Sequence, residues 1–221
     1  ASIERARPKV DRLHAIYVAE LTAAKSNPGA PVSRGLVFNA ADTAAVNYDE
    51  LLARAEKAYQ ELGYSTDLAV AVNDADLIIE ALAEDPKAKT AFYQQLQPLL
   101  PEKTILATNS STLLPSMLAD STGRPEKFLA LHFANNIWSG NTAEVMGHDR
   151  TDPTVYDAAA KFAEDIGMIP LKLKKEKAGY ILNSMLVPFL SSAQALLADG
   201  IADGTSVVVT GSLEASGAFK A

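Results

Sequence analysis

The sequence predicts an α/β protein built on a βα-type sheet, and three observations carry that prediction. From residue 76 onward, short apolar runs alternate with helix-length segments, the order that builds a sheet covered by helices. The runs at Leu77-Ile78-Ile79, at residues 105–107 and at residues 128–131 each stop abruptly in polar residues, as buried parallel strands do. Composition allows a sizeable core, with 48% hydrophobic and 21% charged residues. Ligands of open α/β sheets bind beyond the carboxyl ends of the strands, so the polar clusters stand where chemistry is expected.

Residues 1–25 read as a helix, with Val10, Leu13, Ile16, Tyr17 and Leu21 at spacings of three and four. The segment 26–31, SNPGAP, breaks it. Residues 35–40 are too short to assign. A second helix opens at Asn47 or Tyr48 and runs to about Leu62, completing an alanine-rich helical arm over 1–62. Gly63-Tyr64-Ser65 reads as a short strand, with Ser65 capping a helix that begins at Thr66 or Asp67. A strand follows over 77–82. Pro86 opens a helix to about Leu100, because proline fits a first helical turn. Strands are then expected at 104–108, 128–132, 143–146 and 169–173. Between them come a short helix at 114–119 and a helix opened by Pro153 that ends near Gly167. A long helix over 178–198 carries Pro188, which should bend it. After Asp203 the sequence is small and weakly patterned, unlike a packed element.

A net charge of −7 disfavours general binding to a nucleic-acid backbone. With no cysteine there is neither a disulfide nor a thiolate metal site, and a reducing cytoplasm is compatible. No signal peptide is visible at the start. The most apolar stretch, 181–197, is interrupted by Asn183, Ser184, Pro188 and Gln194 and reads as a buried helix, so no membrane span is expected. The three histidines lack metal-ligand spacing, so no metal is expected.

His132 ends an apolar run, and histidine is the side chain that in its unperturbed form exchanges a proton near neutrality, which suits acid/base work. Glu144 lies twelve positions later, the distance of a strand-loop-strand return that would bring a carboxylate to the imidazole. A structural histidine hydrogen-bonded within the sheet is the competing reading. Ser110 and Ser111 can serve a substrate as hydrogen-bond donors or cap the turn before Leu113; without a G-x-S-x-G elbow, serine hydrolysis is not expected. Asn183 stands on an apolar helix and needs a partner, either substrate or backbone. Glu80, Glu84 and Lys89 flank a strand-to-helix turn and fit a solvated charged loop as well as a site. The lysines at 172, 174, 175 and 177 fit a solvated face; attraction of an anionic substrate is the lesser reading.

The motifs TNSSTL, LHFAN, TAEVM and GYILN, in this order and spacing, resemble the 3-hydroxyacyl-CoA dehydrogenase family, especially its 3-hydroxybutyryl-CoA dehydrogenase members. The resemblance runs from about Tyr64 to Asp203, and the arm before it looks like an insertion of some bacterial members. It implies NAD-dependent oxidation of a 3-hydroxyacyl-CoA to a 3-oxoacyl-CoA, or the reverse, in fatty-acid or butanoate metabolism. By the same resemblance His132 is the general base and Glu144 orients and charges it. Ser111 and Asn183 hold the substrate's oxygens. Glu84, Lys89, Ser111 and Asn135 lie near the nicotinamide half of the cofactor. An acyl-CoA is the implied partner, and family members pair as homodimers through their C-terminal domain.

Three departures from the family pattern shape the expectation. No strand with a G-x-G-x-x-G turn precedes the first helix, so the pyrophosphate half of the NAD site is expected to be missing. Asn136 stands where LHFAN usually continues with proline, freeing the backbone there. The family pattern also fades after Asp203. The expected architecture is therefore an incomplete Rossmann-like sheet with a helical arm over 1–176, then the start of an all-helical C-terminal domain over 177–221. Losing the first strands would leave an exposed sheet edge, and with it low stability or association. Two other readings stand beside the dehydrogenase. One is an inactive remnant or binding module of the same fold, and the other is a different NAD-dependent β-hydroxyacid dehydrogenase.

Overall fold

The computed structural model describes residues 2–27, 29–201, 212–213 and 219–220. Its centre is a mixed sheet of five strands in spatial order β1 to β5: β1 (Leu77–Glu80), β2 (Ile105–Thr108), β3 (Phe128–Phe133), β4 (Thr142–Met146) and β5 (Ile169–Leu173). β1, β2 and β3 are parallel, β4 runs antiparallel to β3, and β5 is parallel to β4. The carboxyl ends of β1–β3 therefore share one rim with the amino ends of β4 and β5. The reading of an α/β fold with a Rossmann-like sheet and a helical arm holds.

Alternation along the strands fills both faces. Ala107, Leu129, Leu131, Ala143 and Val145 meet the helix α5 (Pro153–Asp165) through Val155, Ala159 and Ala163. On the other face Leu106 and Phe128 meet Tyr93 and Leu96 of α4 (Pro86–Leu96) and Val72 of α3 (Leu68–Val72). Further along that face Ala130 and Met146 pack with Leu173 and Tyr180. His132 and Glu144 are in phase with Ala130 and Met146, so both point to this second face. The arm pairs α1 (Ser2–Ser26) with α2 (Tyr48–Glu61), burying Leu21, Ala24, Tyr48 and Leu51 with Leu36 and Val37 of the connecting loop. Trp138, from the loop after β3, packs into the same cluster.

Several boundaries differ from the sequence expectation, each for a local reason. Residues 63–65 form no strand; they link α2 to α3 without a neighbouring strand to take their backbone hydrogen bonds. α3 is capped by the Asp67 carboxylate, which accepts from the N–H groups of Ala69 and Val70, while the Ser65 hydroxyl accepts only from Asp67 N–H. The expected helix at 114–119 is two 3₁₀ turns, Pro115–Met117 and Ala119–Thr122. α4 stops at Leu96 and continues as a 3₁₀ turn, Gln97–Leu99. The last helix, α6 (Leu182–Ala198), starts later than expected because Gly179 and Tyr180 are left-handed, at φ +76° and +52°. The sequence after Asp203 lies outside the described residues, except for two short antiparallel strands, Ser212–Leu213 and Phe219–Lys220.

Candidate active site

His132 and Glu144 face each other directly across the β3–β4 ladder. Nδ1 of His132 lies 2.8 Å from Oε2 of Glu144. The other oxygen, Oε1, accepts from the backbone N–H groups of Ile181 at 2.7 Å and Leu182 at 2.8 Å. Glu144 is wholly buried, and these three bonds occupy both of its carboxylate oxygens. An acceptor at Nδ1 places the ring proton there and leaves the Nε2 lone pair for another partner. Nε2 has no hydrogen-bond partner among the described residues. The Tyr180 ring lies 5.2 Å from the imidazole, and its hydroxyl donates to the Leu113 carbonyl at 3.3 Å. Burial, with Glu84, Glu144 and Glu176 nearby, pushes the Tyr180 phenol up, so it stays neutral. The left-handed turn at residues 179–180 thus presents the ring to His132 and two N–H groups to Glu144. Left-handed backbone at a bulky residue is a strained feature that concentrates at functional sites. From the sequence, Tyr180 and these N–H donors take no role and fall within an expected helix; the signal that could have found the turn is Gly179.

The end of β2 supplies Ser111. Its N–H donates to Oε1 of Glu84 at 3.1 Å, and its carbonyl accepts from Nδ2 of Asn183 at 3.3 Å. The Ser111 hydroxyl has no partner among the described residues. Glu84 also accepts from the Ser110 and Thr112 hydroxyls and the Thr112 N–H, which fixes the loop after β2. Burial raises the Glu84 carboxyl, but these donors and the charge of Lys89 outweigh it and bring it down to about 2.

Lys89 is fully buried. Its ammonium pairs with Glu80 at 2.6 Å and donates to the Leu82 carbonyl at 3.2 Å, with Glu84 3.8 Å away. Glu80 is buried as well, and accepts from Tyr93 at 2.7 Å, from Thr108 at 2.8 Å and from Leu82 N–H. Against the solvated reading, Glu80 and Lys89 form a buried network, while Glu84 stays exposed in the loop between them. The network connects Glu80 of β1 through Lys89 to Glu84 and so to the Ser111 loop. Lys89 reaches the rim only through Glu84. Burial would raise the Glu80 carboxyl, yet its four donors prevail and lower it.

A cleft of about 950 Å³ opens over this rim. Ser111, His132, Asn135, Asn136 and Asn183 line its polar side, and Leu182, Met185, Leu186 and Phe189 of α6 line its apolar side. The side-chain amides of Asn135 and Asn136 have no partner among the described residues. A mostly apolar wall with a few convergent, unsatisfied polar groups is the make-up of a small-molecule site. The Ser111 hydroxyl and the Asn135 amide, both without a partner among the described residues, follow the ends of adjacent strands on this rim. A glycine-rich turn leading into a helix N-terminus, which would take a pyrophosphate, does not occur among the described residues. Among those residues there is also no group of His, Asp and Glu that could hold a metal, and no helix long and apolar enough to cross a membrane.

Residues 37–176, more than half of the chain, match the family described as 3-hydroxyacyl-CoA dehydrogenase, NAD binding domain. A 3-hydroxybutyryl-CoA dehydrogenase of Clostridioides difficile is 35% identical over 131 residues, covering 59% of this chain and 46% of its own length. Among solved structures, one described as "Substrate-directed dual catalysis of dicarbonyl compounds by diketoreductase" is 48% identical with a TM-score of 0.74. That match covers 93% of this chain and 63% of the other. The (S)-3-hydroxybutyryl-CoA dehydrogenase PaaH1 from Ralstonia eutropha is 26% identical with a TM-score of 0.62, covering 71% of this chain and 56% of its own. The chain spans about half the length of the curated relatives it matches.

Proposed function

The chain belongs to the 3-hydroxyacyl-CoA dehydrogenase family, and on that premise we propose that it serves the NAD-dependent interconversion of a 3-hydroxyacyl-CoA and its 3-oxoacyl-CoA. The observation that carries the reading is the His132–Glu144 pair, with Nδ1 held at 2.8 Å and Nε2 free at the cleft. In the oxidative direction Nε2 takes the proton of the substrate's 3-hydroxyl as general base. Glu144, fixed by the two backbone N–H groups, stabilises the imidazolium that results. The Ser111 hydroxyl and the remaining capacity of the Asn183 amide hold the oxygen on which the carbonyl forms. NAD, when bound, would supply the hydride acceptor for C3. Ser111 and Asn135 would hold its nicotinamide end, and Glu84 and Lys89 would act by fixing the Ser111 loop. In the reductive direction the same groups run in reverse, with the imidazolium returning its proton to the substrate oxygen.

A second reading is favoured by one observation: the diketoreductase structure is 48% identical across nearly the whole chain. On that reading the substrate is a β-dicarbonyl compound that need not be carried on CoA. Both readings are tested by following NADH oxidation with acetoacetyl-CoA and with ethyl acetoacetate side by side. The first expects the thioester to be preferred, and the second expects the ester to turn over at least as well. In both, His132→Ala lowers turnover by a factor of about 100 or more, the size of a lost general base. Unchanged turnover in that variant would sink both assignments. A folded protein with no turnover on either compound would favour a binding module of the same fold.

A further inference from the structure

Residues 134–141 carry a feature that the reaction outlined above does not use. Asn136 has a φ of +55°, a left-handed conformation that asparagine tolerates and that proline, fixed near −65°, cannot adopt. Its carbonyl accepts from the N–H groups of Ser139 at 2.9 Å and Gly140 at 2.8 Å, which closes the turn. A side chain at position 140 would meet the Asn135 carbonyl at 2.8 Å, so glycine is required there. The turn is also pinned from outside. The half-buried Trp138 side chain packs against the core of the helical arm, and the Trp138 carbonyl accepts from Gly35 N–H at 3.0 Å. At the far end Asn141 donates to Asn39 at 2.5 Å and to the Gly167 carbonyl at 2.9 Å. The exposed Asn136 amide is therefore borne on a fixed turn, lines the cleft and has no protein partner.

We propose that Asn136 is a specificity-determining residue, whose amide selects substrates with an oxygen beyond the two carbonyls of a β-dicarbonyl unit. The inference rests on the cleft being the substrate site. His132, Ser111 and Asn183 already supply the groups for the reacting oxygen. An amide closed off by a purely hydrocarbon chain loses its water without replacement, whereas an ether, hydroxyl or carbonyl oxygen restores the bond.

The test uses two esters of equal length and shape, methyl 4-methoxy-3-oxobutanoate and methyl 3-oxohexanoate, which differ by an oxygen in place of a methylene. Calorimetric titration of the full chain with each, in buffer containing the oxidised cofactor NAD so that no turnover occurs, gives their affinity ratio. Asn136→Gly keeps the left-handed backbone and removes the amide, and Asn136→Asp keeps the shape and removes the donor. The ratio is expected to shift about five-fold towards the hydrocarbon ester in both variants, the effect of one ordinary hydrogen bond. A ratio unchanged in both variants, with the esters still bound, overturns the role of Asn136 and leaves the site reading intact. If the folded wild-type chain binds neither ester, the inference falls, while turnover of acetoacetyl-CoA decides the site reading separately.

Discussion

At the residue scale, the Glu84 carboxylate joins two loops: it lies after β1, and every hydrogen bond it accepts comes from the loop after β2. Its folded-state value near 2 lies below the ordinary 4.5, so folding favours the anion. The stability this contributes is complete above about pH 4.5 and is lost as pH falls towards about 2. Glu84→Gln should therefore show a smaller loss of stability on acidification than the wild type, read as the change in urea midpoint between about pH 6 and about pH 3. Glu80 loses stability in the same direction in both proteins, so the difference isolates Glu84. These residues also mark how far the site could be read beforehand. That His132, Glu144, Ser111 and Asn183 come together on one rim was legible because each sits in a short motif whose order carries information. The burial of Glu80 and Lys89 was not, since charge near a turn ordinarily means solvent. A signal did exist: Lys89 shares a helical stripe with Tyr93 and Leu96, both buried.

At the scale of elements, the arm is a wall support for the cleft as well as an appendage of the sheet. α1 and α2 bury Leu21 completely, and the cluster around it receives Trp138. Leu21→Ala should cost about 2–5 kcal/mol in urea unfolding, the range for a buried leucine cut to alanine. The same variant should loosen the turn at residues 136–140, seen as faster amide exchange at Ser139 and Gly140. Helices and strands were legible where apolar spacing was regular: the ends of β5 came out as read, and α2 starts where Asn47 caps it. The start of α6 was hidden because Tyr180 is left-handed, a conformation that its identity does not announce. The expected strand at 63–65 had no partner to pair with. Propensity cannot supply one, because a strand is a property of two segments.

At the scale of the molecule, one edge of the sheet and one side of α6 are left without cover among the described residues. β1 pairs only with β2. Met185 and Phe189, four residues apart and so on one face of α6, are 70% and 59% exposed, an apolar surface on one helix. The chain should therefore bind an apolar-surface dye such as anilinonaphthalene sulfonate in its native state, and Phe189→Glu should reduce the emission. A native chain that leaves the dye dark would contradict this reading of the surface. The packing of the arm has a last consequence. Trp138 is the only tryptophan of the chain, and it sits between the arm and the loop that borders His132. Light absorbed at the red edge of the protein spectrum is therefore emitted from that one seam. The protein carries its own lamp behind the loop that forms one wall of the cleft, so a movement of that loop against the arm can be followed without attaching a label.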